Sequence, residues 1–251
     1  MTTSEKIRIS KLLADRGLCS RREADRYIEQ GLVTVDGQVV TELGSRAYPT
    51  QRIELAAAAK VQQSSQLTVI LHKPIGIISH FDDERQYTPA VSLITPDRLW
   101  RHASVKAAID KLPARLSTRG LAPAGRLDID STGLLVLTQD GRIARLLIGE
   151  DSPIEKEYLV RVQGQCSDRE LKLLNHGLRL DGVALKPAKV SWQNEDQLRF
   201  VLREGKKRQI RRMCELVNLK VIGLKRIRIG KIVLGQLPVG SWRPLGEFER
   251  F

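Results

Sequence analysis

The chain has 251 residues, of which 41% are hydrophobic, and it carries a formal net charge of +13 with a pI near 10.0. That length is sufficient for one large domain and one small domain. The excess of positive charge indicates a polyanionic partner, either a nucleic acid or an anionic membrane surface. A membrane partner is not expected, because no apolar run approaches the roughly 20 residues that a spanning helix requires.

The three cysteines, Cys19, Cys166 and Cys214, are far apart and form no C-x-x-C pair. Their spacing argues against a zinc site and against a disulfide framework. The first ten residues, MTTSEKIRIS, contain no apolar signal segment. We therefore expect a reduced cytoplasmic protein without a bound metal.

The first 45 residues have the pattern of a compact unit that begins with a short helix ending near Gly17. Ser20 and Glu23 are spaced as a capping box, in which the two side chains satisfy free amides at a helix start. The helix they predict ends before Gly31, which suits the position after the last turn. Asp36-Gly37 lies between two valine-rich runs and predicts a β-hairpin.

The segment IELAAAAKVQQSSQ, residues 53–66, has no apolar period and predicts a linker. We therefore expect a domain over residues 1–60, a linker to about residue 66, and a second domain over residues 67–251. The second part mixes strands with scattered helices and has no βαβ rhythm, which favours an α+β fold. Strands are predicted at 67–71, 134–137, 158–162 and 198–202, and helices at 142–148, 168–175 and 207–217. Residues 82–120 are polar and broken by prolines, and they predict a surface excursion with a basic helical stretch around 98–112.

The densest motif is GRLDIDSTG at residues 125–133, which leads directly into the apolar run LLVLT. Small turn residues beside a buried strand can hold a carboxylate rigidly at the mouth of a cleft. Asp128 and Asp130 are the candidates, although both could simply bond to nearby amides of the turn.

Positive charge is concentrated in residues 200–232, which contain eleven lysines and arginines against two glutamates. This segment includes EGKKRQIRRM at 204–213, whose basic side chains are expected to contact phosphates. One arginine of the motif could instead face inward and hold a carboxylate by a forked hydrogen bond. The motif KEYLV at 156–160 alternates like a strand, and its Tyr158 could belong either to the core or to a site.

These motifs, in this order, resemble the RsuA/RluB/RluE/RluF family of ribosomal RNA pseudouridine synthases, and the match covers nearly the whole chain. The run RISKLLADRGLCSRREADRYIEQGLVTVDG is similar to the S4-type RNA-binding domain of those enzymes. The resemblance implies a small S4-type α/β RNA-binding domain followed by a larger mixed-sheet catalytic domain with flanking helices. The chain reads closest to the RluF-type, large-subunit branch. Three departures are His72 in place of Asn in N-K-P-x-G, Lys206-Lys207 in place of Arg-Asn, and a longer 90–120 region.

The resemblance also implies roles for individual residues. Asp128 would be the catalytic carboxylate, acting as nucleophile or as base, and Asp130 would be structural. Tyr158 would stack on the flipped base, Arg211 would pair with Asp128, and Leu224 would line the pocket. RNA contacts are expected from Arg21, Arg22, Arg26, Arg126, Lys206, Lys207, Arg208 and Arg212. The isomerisation exchanges no electrons, so no cofactor is expected.

The implied partner is ribosomal RNA, with a uridine of 23S RNA as the expected target, and the chain is expected to be a monomer. Three alternatives stay open at this point. The chain could modify 16S RNA instead, or it could be a non-catalytic RNA-binding or ribosome-assembly protein. It could also hydrolyse a glycosidic bond, although most glycosidases require two carboxylates that flank the bond, and the motifs supply one.

Overall fold

The structure is a computed structural model that describes residues 5–80, 86–149 and 152–251. The helices are α1 (Ile9–Asp15), α2 (Arg21–Glu29), α3 (Ala57–Ser64), α4 (Lys106–Asp110), α5 (Gly141–Ile148), α6 (Asp168–Asn175) and α7 (Gln209–Glu215). The first eight strands are β1 (Ile7–Arg8), β2 (Val33–Val35), β3 (Gln38–Val40), β4 (Arg46–Ala47), β5 (Ile53–Leu55), β6 (Thr68–Lys73), β7 (Ala122–Pro123) and β8 (Thr132–Thr138). The remaining eight are β9 (Lys156–Gln163), β10 (Arg179–Leu180), β11 (Val183–Ala184), β12 (Lys189–Asn194), β13 (Gln197–Leu202), β14 (Lys220–Ile229), β15 (Ile232–Val233) and β16 (Trp242–Pro244). The α+β expectation is confirmed.

The amino-terminal part packs α1 and α2 against a three-stranded antiparallel sheet in the order β3-β2-β5. Ser20 Oγ accepts from the Glu23 amide, and the Glu23 carboxylate accepts from the Ser20 amide, so the capping box is confirmed. The predicted hairpin is also present as β2 and β3. Local signals therefore determine most of this unit.

The prediction of an irregular linker over residues 53–66 is wrong. Ile53–Leu55 forms β5 and pairs with β2, and Ala57–Ser64 forms α3. Ala59 is fully buried in the amino-terminal core, and Gln63 Nε2 donates to the Leu18 carbonyl at 2.8 Å. The helix is thus fixed by small-residue packing and by one buried amide rather than by an apolar stripe.

The second part is built on a nine-stranded mixed sheet with the main order β12-β13-β9-β14-β8-β6-β16. Its central β14 and β8 run parallel, and the other pairs on this path are antiparallel. The strands predicted at 67–71, 134–137, 158–162 and 198–202 correspond to β6, β8, β9 and β13. Residues on both faces of β6 and β8 are buried, so these two strands carry the core.

The region around 90–120 contains less regular secondary structure than expected. The helical stretch predicted at 98–112 is reduced to a 3₁₀ turn, Ala103–Val105, and the five-residue α4. The region is also less superficial than expected, since Leu93, Ile94 and Val105 are buried. Residues 82–85 of the predicted excursion lie outside the described residues.

Helix α5 joins the two parts of the molecule. Arg145 donates to the Ala14 carbonyl of the amino-terminal part, and Arg142 donates to the Gln63 side chain at 3.4 Å. Gly141 lies so close to Ser20 that an added Cβ would overlap that side chain. The described residues include no helix that is long and apolar enough to cross a bilayer.

Candidate active site

A cleft of about 740 Å³ opens where the GRLD loop, β9, β14 and the start of α7 meet. Among the described residues, nine lysines and arginines line it against two carboxylates, those of Asp128 and Glu204. Its walls also include the apolar side chains of Leu127, Leu202 and Leu224. The cleft therefore combines a positive field with an apolar pocket, which suits a nucleotide.

The GRLD loop is fixed from two sides. Ser79 Oγ donates to the Leu127 carbonyl at 2.6 Å and accepts from the Leu127 amide at 2.8 Å. On the other side, Arg226 Nη1 donates to the Arg126 carbonyl at 3.2 Å, and its Nε donates to the Leu134 carbonyl at 2.8 Å. Asp128 is thus carried on a clamped backbone, with its half-buried side chain at the cleft wall.

Gly133 explains the end of the motif. Its φ is +113°, and an added Cβ would lie 2.6 Å from the backbone nitrogen of Arg226. Gly133 is the β8 residue paired with Arg226 of β14, where the two central strands run parallel. A side chain here would separate β8 from β14 and would displace the arginine that holds the GRLD loop.

The position of Arg211 differs from the expected pair with Asp128. Arg211 is 8% exposed, and its Nη2 lies 2.9 Å from the Asp130 carbonyl oxygen and 3.2 Å from Asp130 Oδ1. Arg208 Nη1 reaches the same carboxylate at 3.1 Å. Asp130 therefore holds the start of α7 against the motif loop, which is consistent with a structural role. Asp128 lines the cleft.

Tyr158 and Leu224 lie on adjacent strands of the cleft floor, on β9 and β14. Tyr158 is 8% exposed and pairs in register with Phe200 on one side and Arg226 on the other. The Arg226 guanidinium carbon lies 5.9 Å from the ring centroid of Tyr158. Both expected pocket residues are thus in the cleft, and both also belong to the main hydrophobic core.

The sequence analysis did not single out two buried basic residues, Arg226 in the cleft lining and Lys73, which interacts electrostatically with Asp128 and Asp130. Lys73 is fully buried at the end of β6, and its Nζ donates to the carbonyls of Pro74 and Ile77. Burial lowers the pKa of Lys73 to about 8, while the carboxylates of Asp128 and Asp130 act in the opposite direction. Arg226 is 3% exposed. Arg226 could have been found from the strand alternation of β14, which places it on the same face as Leu224.

The expected RNA-binding residues fall into three groups. Arg126, Lys206, Lys207 and Arg208 line the cleft. Arg21, Arg22 and Arg26 are exposed on α2. Arg212 instead lies outside the cleft lining and forms an ion pair with Asp181 at 2.6 Å.

The basic segment 200–232 is also less available to a partner than its charge indicates. Arg228 pairs with Glu157 at 2.6 Å, and Arg203 pairs with Glu155 at 3.4 Å. Burial raises the pKa of Glu157, but hydrogen bonds from Arg199 and Arg228 outweigh this and lower it below its usual range. These ion pairs engage side chains on or next to β9, β13 and β14, so the unpaired positive charge of the segment comes from fewer side chains.

His72, the departure from the family motif, is 3% exposed and lies on β6. Its Nδ1 is 2.7 Å from the Leu237 carbonyl oxygen. Burial lowers the pKa of His72, so the ring is neutral near pH 7. It stabilises the strand end that carries Lys73 and takes no place in the cleft lining.

Comparison with known proteins identifies the families that this chain resembles. The RNA pseudouridylate synthase family matches residues 67–216, and the S4 domain matches residues 7–53. Dual-specificity RNA pseudouridine synthase RluF of Escherichia coli K12 is 32% identical over 251 residues, covering 99% of this chain and 79% of that protein. Ribosomal large subunit pseudouridine synthase B of Bacillus subtilis is 33% identical over 248 residues, covering 96% and 93%.

A solved structure described as a pseudouridylate synthase covers 96% of both chains with a TM-score of 0.62 and 24% identity, which supports the fold. The match of the synthase family over most of the second part, with relatives above 30% identity over nearly the full length, establishes the enzyme class. This chain belongs to the RNA pseudouridylate synthase family, with an S4 domain before the catalytic domain.

Proposed function

We propose that this enzyme converts a uridine of ribosomal RNA, in the 23S molecule, to pseudouridine with Asp128 as the catalytic carboxylate. The observation that carries the proposal is the clamped GRLD loop, which leaves Asp128 facing a basic cleft while Asp130 is engaged by two arginines. The names of the relatives from E. coli and B. subtilis support an RNA substrate, and the second supports the large subunit.

The reaction breaks the N1–C1′ glycosidic bond, turns the uracil and forms a C5–C1′ bond, after which the C5 proton is lost. Asp128 starts this sequence either by attacking the sugar carbon or by removing a sugar proton. Both routes need a carboxylate held still against the sugar, and the bonds of Ser79 and Arg226 to the loop supply that rigidity. No electron is exchanged, so the chemistry requires no redox group.

The target uridine must leave its stack before Asp128 can reach it, at a cost of a few kcal/mol. The ring of Tyr158 at the cleft floor offers a face for the flipped base, and stacking of this kind contributes about 1–3 kcal/mol. The exposed Arg126 and Lys207 and the half-buried Lys206 would contact phosphates and fix the position of the RNA. We expect a cytoplasmic monomer.

The decisive experiment measures tritium release from C5-labelled uridine in transcripts of ribosomal RNA, for wild type and two variants. Asp128→Asn should lower turnover by about 10³-fold or more, because an amide cannot act as nucleophile or base, and RNA affinity should stay within several-fold. Asp130→Asn is the matched control and should retain measurable turnover. Turnover by Asp128→Asn, or its loss in Asp130→Asn alone, would overturn the assignment.

The choice of subunit is tested separately. Pseudouridine should be mapped in 23S and 16S RNA from cells with and without the protein. Loss of a single 23S modification is expected. Loss confined to 16S RNA would favour the small-subunit alternative.

A further inference from the structure

A second groove opens beside the active-site cleft, between the S4 domain and the loop before β7. Its volume is about 1220 Å³, and it is lined by Arg22 of α2 together with Arg115 and Arg119 of that loop. His80 and Pro123 line both this groove and the active-site cleft. The two depressions therefore form one continuous path across the surface.

The groove carries positive charge that no residue in the described part of the chain neutralises. Arg22, Arg115 and Arg119 are exposed, and in the described part of the chain none of them has a hydrogen-bonded or ion-paired carboxylate. No Asp or Glu lines the groove among the residues that the structure describes. By contrast, Arg212 and Arg228 of the basic carboxy-terminal segment are engaged by carboxylates. Unpaired guanidinium groups along a concave surface attract an extended polyanion.

The other lining groups also suit a nucleic acid backbone. Ser117 and Thr118 are exposed and bring hydroxyl groups between the two loop arginines. Side chains of this type, together with arginine, supply most protein contacts to phosphate and sugar. The larger apolar side chains of the wall, Val91, Leu116 and Leu121, are half-buried or buried. The surface therefore favours a charged chain over an apolar protein segment.

One side chain, Ser79, both lines the groove and contacts the catalytic loop. Ser79 lines the groove and, through its hydroxyl, holds the backbone of Leu127, which precedes Asp128. A strand lying in the groove would thus run from α2 of the S4 domain to the loop that carries the carboxylate. The arginines on the catalytic-domain side, Arg115 and Arg119, belong to the loop between α4 and β7.

We propose that this groove binds the sugar-phosphate backbone of the substrate RNA on one side of the flipped uridine. Arg115 and Arg119 are then positioning contacts that connect the S4 domain to the active site along one stretch of RNA. The inference rests on the proposed function and specifies which surface holds the flanking nucleotides.

The test compares two double variants that each remove two positive charges. Arg115→Gln with Arg119→Gln removes the groove contacts. Arg101→Gln with Arg169→Gln is the matched control, because both residues are exposed and neither lines the groove or the cleft. RNA binding is measured from low to high salt, and the thermal transition of each variant confirms that it is folded.

The groove variant should bind RNA about tenfold more weakly at near-physiological salt. Its log–log salt slope should be shallower by about 1.4–1.8, since each lost phosphate contact contributes about 0.7 for single strands and 0.9 for duplexes. The RNA concentration that gives half-maximal turnover should rise by a larger factor than the factor by which the rate at saturating RNA falls. The control should match wild type within about twofold.

Binding is measured with two transcripts of equal length, one containing the modified uridine and one lacking it. Phosphate contacts do not depend on sequence, so the change in slope should appear with both. Equal behaviour of the groove and control variants, or a weakened affinity with an unchanged slope, would overturn the proposal. If wild type forms no pseudouridine, the proposed function fails, whereas the salt-slope comparison still decides whether the groove binds RNA.

Discussion

Tyr158 is a residue that the hydrophobic core and the cleft share, because its ring packs beside Phe200 and also reaches the cleft floor. The effect of Tyr158→Ala on activity would not separate the two roles, because truncating a buried aromatic residue to alanine costs about 3–5 kcal/mol of stability. Substitutions that retain bulk separate the two roles, since a leucine can fill the space and only a ring can stack.

We predict that Tyr158→Phe binds RNA within about twofold of wild type, because the stacking face is retained. Tyr158→Leu should lower kcat/KM by about 5- to 150-fold, which corresponds to the 1–3 kcal/mol of a base–aromatic stack. Single-turnover rates and thermal transitions would be measured for both. A folded Tyr158→Leu enzyme as active as Tyr158→Phe would show that the tyrosine serves only the core.

Lys73 places a titratable amine in the core behind Asp128. Burial lowers its pKa to about 8 from the ordinary 10.5. Between these values the unfolded chain binds more protons at this position than the folded chain, so the free energy of unfolding rises with pH. Below pH 8 the lysine is charged in both states and contributes no slope.

We therefore predict that wild type gains about 3 kcal/mol of stability relative to Lys73→Met between pH 8 and 10.5, at 1.36 kcal/mol per unit of pKa difference. Denaturant unfolding would be followed by tryptophan fluorescence, since Trp100, Trp192 and Trp242 all lie in the catalytic domain. Comparing the two proteins cancels the other lysines and tyrosines. Parallel stability curves over this range would contradict a depressed pKa.

At the level of elements, the sequence predicted what local chemistry decides. The capping box of α2, the β2–β3 hairpin and the central strands depend on neighbouring residues and on apolar runs, and all are present. The helix α3 was missed because Ala59 and the Gln63 amide hold it through tertiary contacts, which leave no period in the sequence. The partner of Arg211 was missed for a related reason. Asp128 and Asp130 are two residues apart, and only the docking of α7 decides between them.

Gly141 of α5 lies at the seam between the two parts, where no space remains for a side chain. A Cβ at Gly141 would overlap Ser20 and lie 2.6 Å from Glu23 Oε2, within the capping box of α2. We predict that Gly141→Ala releases the S4 domain from α5, because rigid neighbours flank the site on the amino-terminal side.

The release should increase the radius of gyration in small-angle scattering and accelerate proteolysis near residues 65–67. The matched control is Gly223→Ala in β14, where the nearest contact of an added Cβ is 3.9 Å away. An unchanged radius of gyration in Gly141→Ala would mean that the seam adapts to the methyl group.

For the whole molecule, the two parts have separate cores joined by a polar seam. One hydrophobic cluster is formed by residues from Ile9 to Ala59, and the two others are formed by residues beyond 66. The seam itself contains hydrogen bonds from Arg142 and Arg145 of α5 to Gln63 and Ala14 of the amino-terminal part. Polar interfaces of this kind are typical of domains that can fold independently.

We predict that a chain beginning at residue 67 folds and retains the catalytic pocket, since the sheet, the GRLD loop and α7 all lie beyond that residue. Its RNA affinity should fall by about 10²-fold or more, because the S4 domain acts as a second binding module at high effective concentration. Docking through α5 adds a further effect, since a fixed orientation reduces the entropy that RNA binding must remove. The affinity for RNA should therefore decrease from the full-length chain to the undocked Gly141→Ala variant and then to the truncated chain.

Half-saturation concentrations and single-turnover rates at saturating RNA would be measured for each, with tryptophan fluorescence to verify folding. Equal half-saturation values would show that the S4 domain contributes nothing to this substrate. A folded truncated chain with no turnover at any RNA concentration would place part of the active site in the S4 domain.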